Sequence, residues 1–244
     1  KTRTDGSANL LLYGYGSYGS SMSPSFSSTR LSLINRDIIW VTAHIRGGLE
    51  RGMKWWKEGK LLNKKNTFED YIAVGKFLIK KKYTSEKKII GMGGSAGGLL
   101  MGAVVNQAPE LFLGIIMAVP FVDSLTTNLD HSLPLTVGEF KEFGNAKDNK
   151  KHFNYIFSYA PYNNIKKMDY PNMLVTTSLS DNRVLFDEPA KYTAKLREFK
   201  TDSNILLLKT EMEAGHGGKS GRDGQIDEIA LDYAFAISLT KNIL

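Results

Sequence analysis

Six short apolar runs, at residues 9–13, 37–43, 88–92, 114–119, 173–178 and 205–210, alternate along the chain with longer segments of helical period. Parallel strands must be joined by crossovers, so this alternation is the pattern of a mostly parallel sheet covered by helices. The clearest crossover sets Phe68, Tyr71, Ile72, Gly75, Leu78 and Ile79 on one stripe. Asn66 or Thr67 is its expected N-cap, with Glu69 and Asp70 near the positive helix end. Further helices are expected over 96–107, 186–199 and 225–242, the last with Ile229, Tyr233, Ala236 and Ile237 on one side. The expected fold class is therefore α/β, in one domain, which 244 residues accommodate.

Residues 123–162 show no clean period and mix aromatic with charged residues, as an excursion packed above the sheet would. The Ser-rich stretch 17–32 is interrupted by Tyr18, Met22, Phe26 and Leu31 and does not read as a linker. No apolar run reaches the roughly 18 residues of a membrane-spanning helix, and the first residues carry no apolar targeting segment. The expectation is a cytoplasmic protein without membrane contact. The absence of cysteine excludes a disulfide framework, a thiolate metal site and a cysteine nucleophile. Lys and Arg number 32 against 25 Asp and Glu, with clusters at Lys60, Lys64 and Lys65, at 80–82, at Lys87 and Lys88, and around 147–151. These clusters lack interleaved aromatics, so they read as a solvated face rather than a nucleic-acid surface.

Gly93-Gly94-Ser95-Ala96-Gly97 follows the third apolar run and opens a helical segment. G-x-S-x-G in this strand–turn–helix setting is a nucleophile elbow, whose small neighbours let the backbone make a strained turn that presents Ser95. No Gly-Lys-Ser/Thr follows, which argues against a phosphate-cradling loop. The setting points to the α/β-hydrolase fold.

A serine hydroxyl needs a base, and this fold places a histidine after the acid near the chain end. Of four histidines, His216, in Ala214-Gly215-His216-Gly217-Gly218, follows the last apolar run; His44, His131 and His152 fit that position poorly. Asp181 follows the run 173–178 and completes the order Ser95, Asp181, His216, with Asp187 as the alternative acid unless it caps the next helix. The Ala96 amide is one expected oxyanion donor. A second must come from the turn after the first run, Tyr13-Gly14-Tyr15-Gly16-Ser17-Tyr18-Gly19, where Tyr15 either offers its phenol or packs beneath the loop.

These motifs, with Arg46-Gly47-Gly48, Lys64-Lys65-Asn66-Thr67-Phe68, Asp181-Asn182-Arg183-Val184 and Gly215-His216-Gly217-Gly218-Lys219-Ser220-Gly221, resemble the prolyl oligopeptidase family of serine peptidases nearly end to end. Val119-Pro120-Phe121-Val122-Asp123, Pro134-Leu135-Thr136 with Gly138-Glu139, and Glu188-Pro189-Ala190-Lys191 look most like its oligopeptidase B branch, which cuts after Arg or Lys. The resemblance implies a triad of Ser95, Asp181 and His216, and an oxyanion hole of Tyr15 and Ala96. It also implies that Glu139 receives a basic P1 side chain and Arg183 a substrate carbonyl, with no metal or cofactor. Without it, Glu139 reads as a surface carboxylate and Arg183 as a partner for Asp187.

Two departures qualify the resemblance. Ser23-Pro24-Ser25 stands where that branch carries acidic residues, which weakens a second basic subsite. The family also places a β-propeller and the first strands of the hydrolase sheet ahead of the tyrosine turn. The expectation is a fragment or split-gene product, partnered by a propeller-bearing N-terminal polypeptide, with the 9–13 strand an open edge exposing Leu10, Leu11 and Leu12. The reaction expected is peptide cleavage after Arg or Lys. An esterase or acylaminoacyl hydrolase, and a non-catalytic remnant, are the alternatives.

Overall fold

The computed structural model describes residues 4–241 and Ile243. All six strands form one parallel sheet in the order β2-β1-β3-β4-β5-β6: β1 (Leu10–Tyr13), β2 (Ile39–Thr42), β3 (Ile89–Gly94), β4 (Phe112–Ala118), β5 (Asn172–Ser178) and β6 (Leu206–Glu211). From β1 the chain steps outward to β2 through α1 (Leu31–Ile34), then returns past β1 to β3 through α3 (Lys65–Lys80). That reversal beside β1 opens a crevice at the carboxyl ends of the strands, where open α/β sheets bind ligands.

Successive strand residues serve opposite faces. Leu10 and Leu12 join the main core with Phe68, Tyr71 and Leu100, under α3 and α4 (Ala96–Gln107). Leu11 packs with Leu33, Ile38 and Tyr233 on the other face, beneath α9 (Arg222–Thr240). Ile115 and Ile116 divide in the same way. Two covered faces explain why these strands read as continuous apolar runs.

The open edge expected at 9–13 is not there. β1 is hydrogen-bonded to β2 on one side and β3 on the other, and Leu10, Leu11 and Leu12 are all 0% exposed. The edge falls on half-buried β2, because the excursion to β2 and back leaves β1 inside.

Other expectations are also corrected. Helix α3 begins at Lys65, so Asn66 and Thr67 lie within its first turn instead of capping it, and neither Glu69 nor Asp70 falls in that turn. A 3-10 turn over Leu61–Asn63 leads straight into the helix with Lys64 already helical, leaving no extended residue to cap. The Asn66 side chain donates to Glu58 O, and the Thr67 hydroxyl to Arg46 O. Lys64 is not part of a solvated face but 1% exposed. Helix α9 starts at Arg222, ahead of its expected start, and ends at Thr240, short of the expected Asn242, which itself lies outside the described residues. Of the expected stripe, Tyr233 and Ala236 are buried and Ile229 and Ile237 partly so.

The excursion consists of α5 (Ser124–Leu129), α6 (Thr136–Phe143) and α7 (Lys150–Phe157). It packs onto the main core through Phe143, Ala146, Ile156 and Tyr159. Two short helices, α1 and α2 (Met53–Lys57), were not legible in the sequence; each spans little more than a turn and carries no period. The remaining helix, α8 (Asp187–Phe199), follows β5. Among the described residues no helix is long and apolar enough to cross a membrane.

Candidate active site

Ser95 stands between β3 and α4 with φ 55° and ψ −118°, a backbone state costly for any residue but glycine. The turn is held by the Ser95 amide to Ala118 O at 2.8 Å, and by Ser95 O accepting the amides of Gly98 and Phe121. Its glycines follow from close approach: a Cβ on Gly93 would lie 2.4 Å from Gly97 O, and one on Gly97 would lie 2.8 Å from Gly14 O. The tyrosine turn after β1 is thereby pressed against the elbow.

Three of the expected residues meet in one line. His216 Nε2 lies 3.0 Å from Ser95 Oγ, and His216 Nδ1 lies 2.7 Å from Asp181 Oδ2. Asp181 is 3% exposed, and its Oδ1 accepts the amides of Arg183 and Val184 at 2.8 and 3.0 Å. A buried carboxylate held by backbone is a fixed acceptor for an imidazole N–H, which leaves Nε2 free to accept the serine proton.

The alternatives sit elsewhere. Asp187 pairs with Lys191 at 3.2 Å in the first turn of α8. His44 contacts Met22 O, His131 packs edge-on against Phe140, and His152 Nδ1 accepts the Asn145 amide.

A cavity of about 200 Å³ opens over Ser95 and His216, lined also by Tyr15, Ala96, Glu139 and Arg183. Ala96 is the first residue of α4, so its N–H has no acceptor within the helix. Burial, above all, raises the Tyr15 pKa, with Tyr13, Glu139 and Glu142 adding and Arg183 opposing. The phenol therefore keeps its proton as a donor.

Glu139, on α6, accepts the Tyr18 hydroxyl at 2.7 Å and has no cationic partner among the described residues. Burial raises its pKa, the Tyr18 hydrogen bond lowers it, and Glu142 raises it again. A half-buried carboxylate in this state is suited to a cation brought by a ligand. Arg183 lines the cavity without pairing to Asp187, the partner expected in the absence of a substrate role.

Glu188 also lines this cavity, a residue the sequence offered only as part of a motif. Its Oε2 accepts the Asp123 amide at 2.9 Å and its Oε1 the Thr127 hydroxyl at 2.5 Å. Burial pushes its pKa up to about 7, against the opposing pull of those two hydrogen bonds. Ser23 and Ser25 lie exposed and uncharged after the tyrosine turn.

Comparison with known proteins places the chain in a family. The model of the prolyl oligopeptidase family matches residues 24–242. "Protease 2" of Moraxella lacunata is 52% identical over 233 residues, covering 96% of this chain and 34% of that protein. "Dipeptidyl aminopeptidase BI" of Pseudoxanthomonas mexicana is 50% identical, covering 96% and 32%. The solved structure of oligopeptidase B from Leishmania major superposes with a TM-score of 0.96 at 44% identity, over 100% of this chain and 34% of that one. The chain thus spans about a third of the length of the relatives it matches. Its parallel sheet, its serine elbow and a family match over most of its length agree that the chain has the α/β-hydrolase fold and belongs to the prolyl oligopeptidase family.

Proposed function

We propose that this chain is the catalytic part of a serine peptidase that cleaves peptides after Arg or Lys. The observation that carries this reading is the Ser95–His216–Asp181 line opening onto a cavity with the Glu139 carboxylate on its wall, a carboxylate in no ion pair among the described residues. As Ser95 Oγ attacks the scissile carbonyl carbon, His216 Nε2 takes its proton. The oxyanion is received by the Ala96 N–H and the Tyr15 O–H. His216 returns the proton to the amine as the C–N bond breaks, leaving an acyl ester on Ser95. Water, deprotonated by His216, then releases the acid and restores the serine. Glu139 pairs with the guanidinium or ammonium of P1, and Arg183, which lines the same cavity, holds a substrate carbonyl.

The test is a serine-directed fluorophosphonate label followed by matched substrates with Arg, Lys or Ala at P1. Each is offered as a peptide, an ester and a free dipeptidyl form, the last because one relative is named a dipeptidyl aminopeptidase. Labelling lost in Ser95→Ala, with Arg and Lys peptides preferred, is the expected result. Unchanged hydrolysis by Ser95→Ala overturns the mechanism. Ester cleavage without peptide cleavage supports the esterase alternative, and absence of both label and turnover supports a non-catalytic domain.

We also propose that a propeller-bearing N-terminal polypeptide adds to this chain along β2, whose outer edge has no strand partner among the described residues. Addition of the N-terminal portion of a family member should change its sedimentation and restrict cleavage to short peptides. Sedimentation and selectivity unchanged by the addition overturn this.

A further inference from the structure

Lys64 is buried at 1% exposure, and its ammonium meets the tyrosine turn directly. Nζ donates to Gly16 O at 2.7 Å and to Ser17 Oγ at 2.6 Å, the two residues that follow Tyr15. Its counter-charge, Glu142, is 3% exposed and lies 3.8 Å away. Glu142 Oε1 accepts the Tyr18 amide at 2.9 Å, and Oε2 accepts Trp56 Nε1 at 3.0 Å. Of these four side-chain hydrogen bonds, three therefore end on residues 16–18.

The placement is costly. Burial lowers the Lys64 pKa, a fall that Glu142 opposes. Buried ion pairs are commonly no more stabilising than apolar residues of the same volume, so fold stability alone does not explain one here. What the pair controls is the path of a strained turn. Gly16 has φ 69°, and any Cβ there would lie 2.4 Å from Thr67 Cγ2, so the backbone has one narrow course through this site. Glu142 also lies one helical turn beyond Glu139, whose carboxylate accepts the hydroxyl of the same Tyr18 that Glu142 holds by its amide.

We infer that Lys64, paired with Glu142, is a positioning residue that sets the Tyr15 hydroxyl over Ser95 and ties the oxyanion turn to the helix carrying Glu139. This rests on the reading of Tyr15 as an oxyanion donor. Lys64 is buried and does not line the cavity over Ser95, so it acts through the turn, and its effect belongs to the transition state more than to substrate binding.

The experiment is a double-mutant cycle of Tyr15→Phe and Lys64→Met, read as kcat and KM on an Arg substrate together with the rate of fluorophosphonate labelling. Lys64→Met should lower kcat and labelling by roughly 10- to 100-fold with KM little changed, the scale of a misplaced catalytic donor. Added to Tyr15→Phe it should cost little more, since the donor it positions is already gone. Additive losses, or a Lys64→Met protein with unchanged kcat, overturn the role of Lys64 alone. Tyr15→Phe without effect overturns both the oxyanion reading and the inference. Should Lys64→Met fail to fold, Lys64→Met with Glu142→Gln, which leaves no unpaired buried charge, enters the same cycle with the same outcomes.

Discussion

The two oxygens of Asp181 serve different partners: Oδ2 lies 2.7 Å from His216 Nδ1, and Oδ1 accepts the amides of Arg183 and Val184. An asparagine at 181 must keep its oxygen toward those amides and so turns its NH2 toward His216. The imidazole is then forced into the tautomer that cannot take the Ser95 proton. Asp181→Asn should lower kcat by about 10⁴ with the fold intact, the effect of the wrong tautomer in a serine triad. Circular dichroism checks the fold and single-turnover kinetics the loss; a variant with near-normal turnover contradicts the arrangement.

Specificity should reside in Glu139 and, through it, in Tyr18. Glu139→Gln should reduce the preference for Arg over Ala at P1 by about 2 to 5 kcal/mol, the range for truncating one partner of a buried charge pair. Tyr18→Phe removes the hydroxyl that orients Glu139 and should cost about 1 kcal/mol of that preference. Ratios of kcat/KM measure both. Equal rates on Arg and Ala substrates in the unmodified protein refute the assignment. Tandem basic residues should add little, because Ser23 and Ser25 carry no charge.

Two glycines should respond in opposite directions to the same added methyl. Gly93→Ala puts a Cβ 2.4 Å from Gly97 O in the elbow and should destabilise by about 1 to 3 kcal/mol, as overpacking does. Gly75, inside α3, has only Ile89 Cδ1 at 3.7 Å and Leu111 Cδ1 at 3.9 Å in reach. Gly75→Ala should therefore stabilise by about 0.5 to 1 kcal/mol. Urea denaturation gives both signs; a stabilised Gly93→Ala protein would show that the elbow is looser than these contacts require.

Glu188 predicts a pH dependence of stability. Its folded pKa, raised to about 7 by burial, exceeds the ordinary value of 4.5, so the folded state binds the proton more tightly than the unfolded chain. This contribution is complete below the unfolded value and is lost as pH rises through about 7. The surrounding groups are the Asp123 amide and carboxylate, the Thr127 hydroxyl and Lys191. Glu188→Gln mimics the protonated form, accepting from the Asp123 amide and donating to Thr127. It should become more stable than the unmodified protein above pH 7, by on the order of 3 kcal/mol. Asp232 is also raised to about 7, so the difference between the two proteins is the quantity to follow. Parallel stability curves from pH 4 to 8 would contradict the assignment.

The elements with strong local signals were legible. Helix α4 occupies its expected residues, and each of the six strands falls on its apolar run. In a parallel sheet both faces are buried, so the apolar signal is continuous and hard to miss. The meeting of Ser95, Asp181 and His216 was legible for a related reason, since each sits on a loop that follows a strand, but chain order left Asp187 open as the acid and only the contact of Asp181 with His216 separates the two.

The rest depended on contacts between residues far apart in sequence. Strand order is one case: nothing local to 9–13 tells whether β1 is an edge, and only the pairing of β2 and β3 on either side buries Leu10, Leu11 and Leu12. Lys64 is another, because its neighbour Lys65 belongs to the same lysine-rich stretch. What separates Lys64 is Glu142 of α6 and the carbonyl of Gly16, which arrive from other parts of the chain. Local sequence determined which residues form strands, helices and the elbow, because propensity and period act over a few neighbours. Tertiary structure alone decided which charges lie buried and which groups face Ser95. Burial and pairing are set by what the rest of the chain brings within a few ångströms, and a linear pattern does not carry that information.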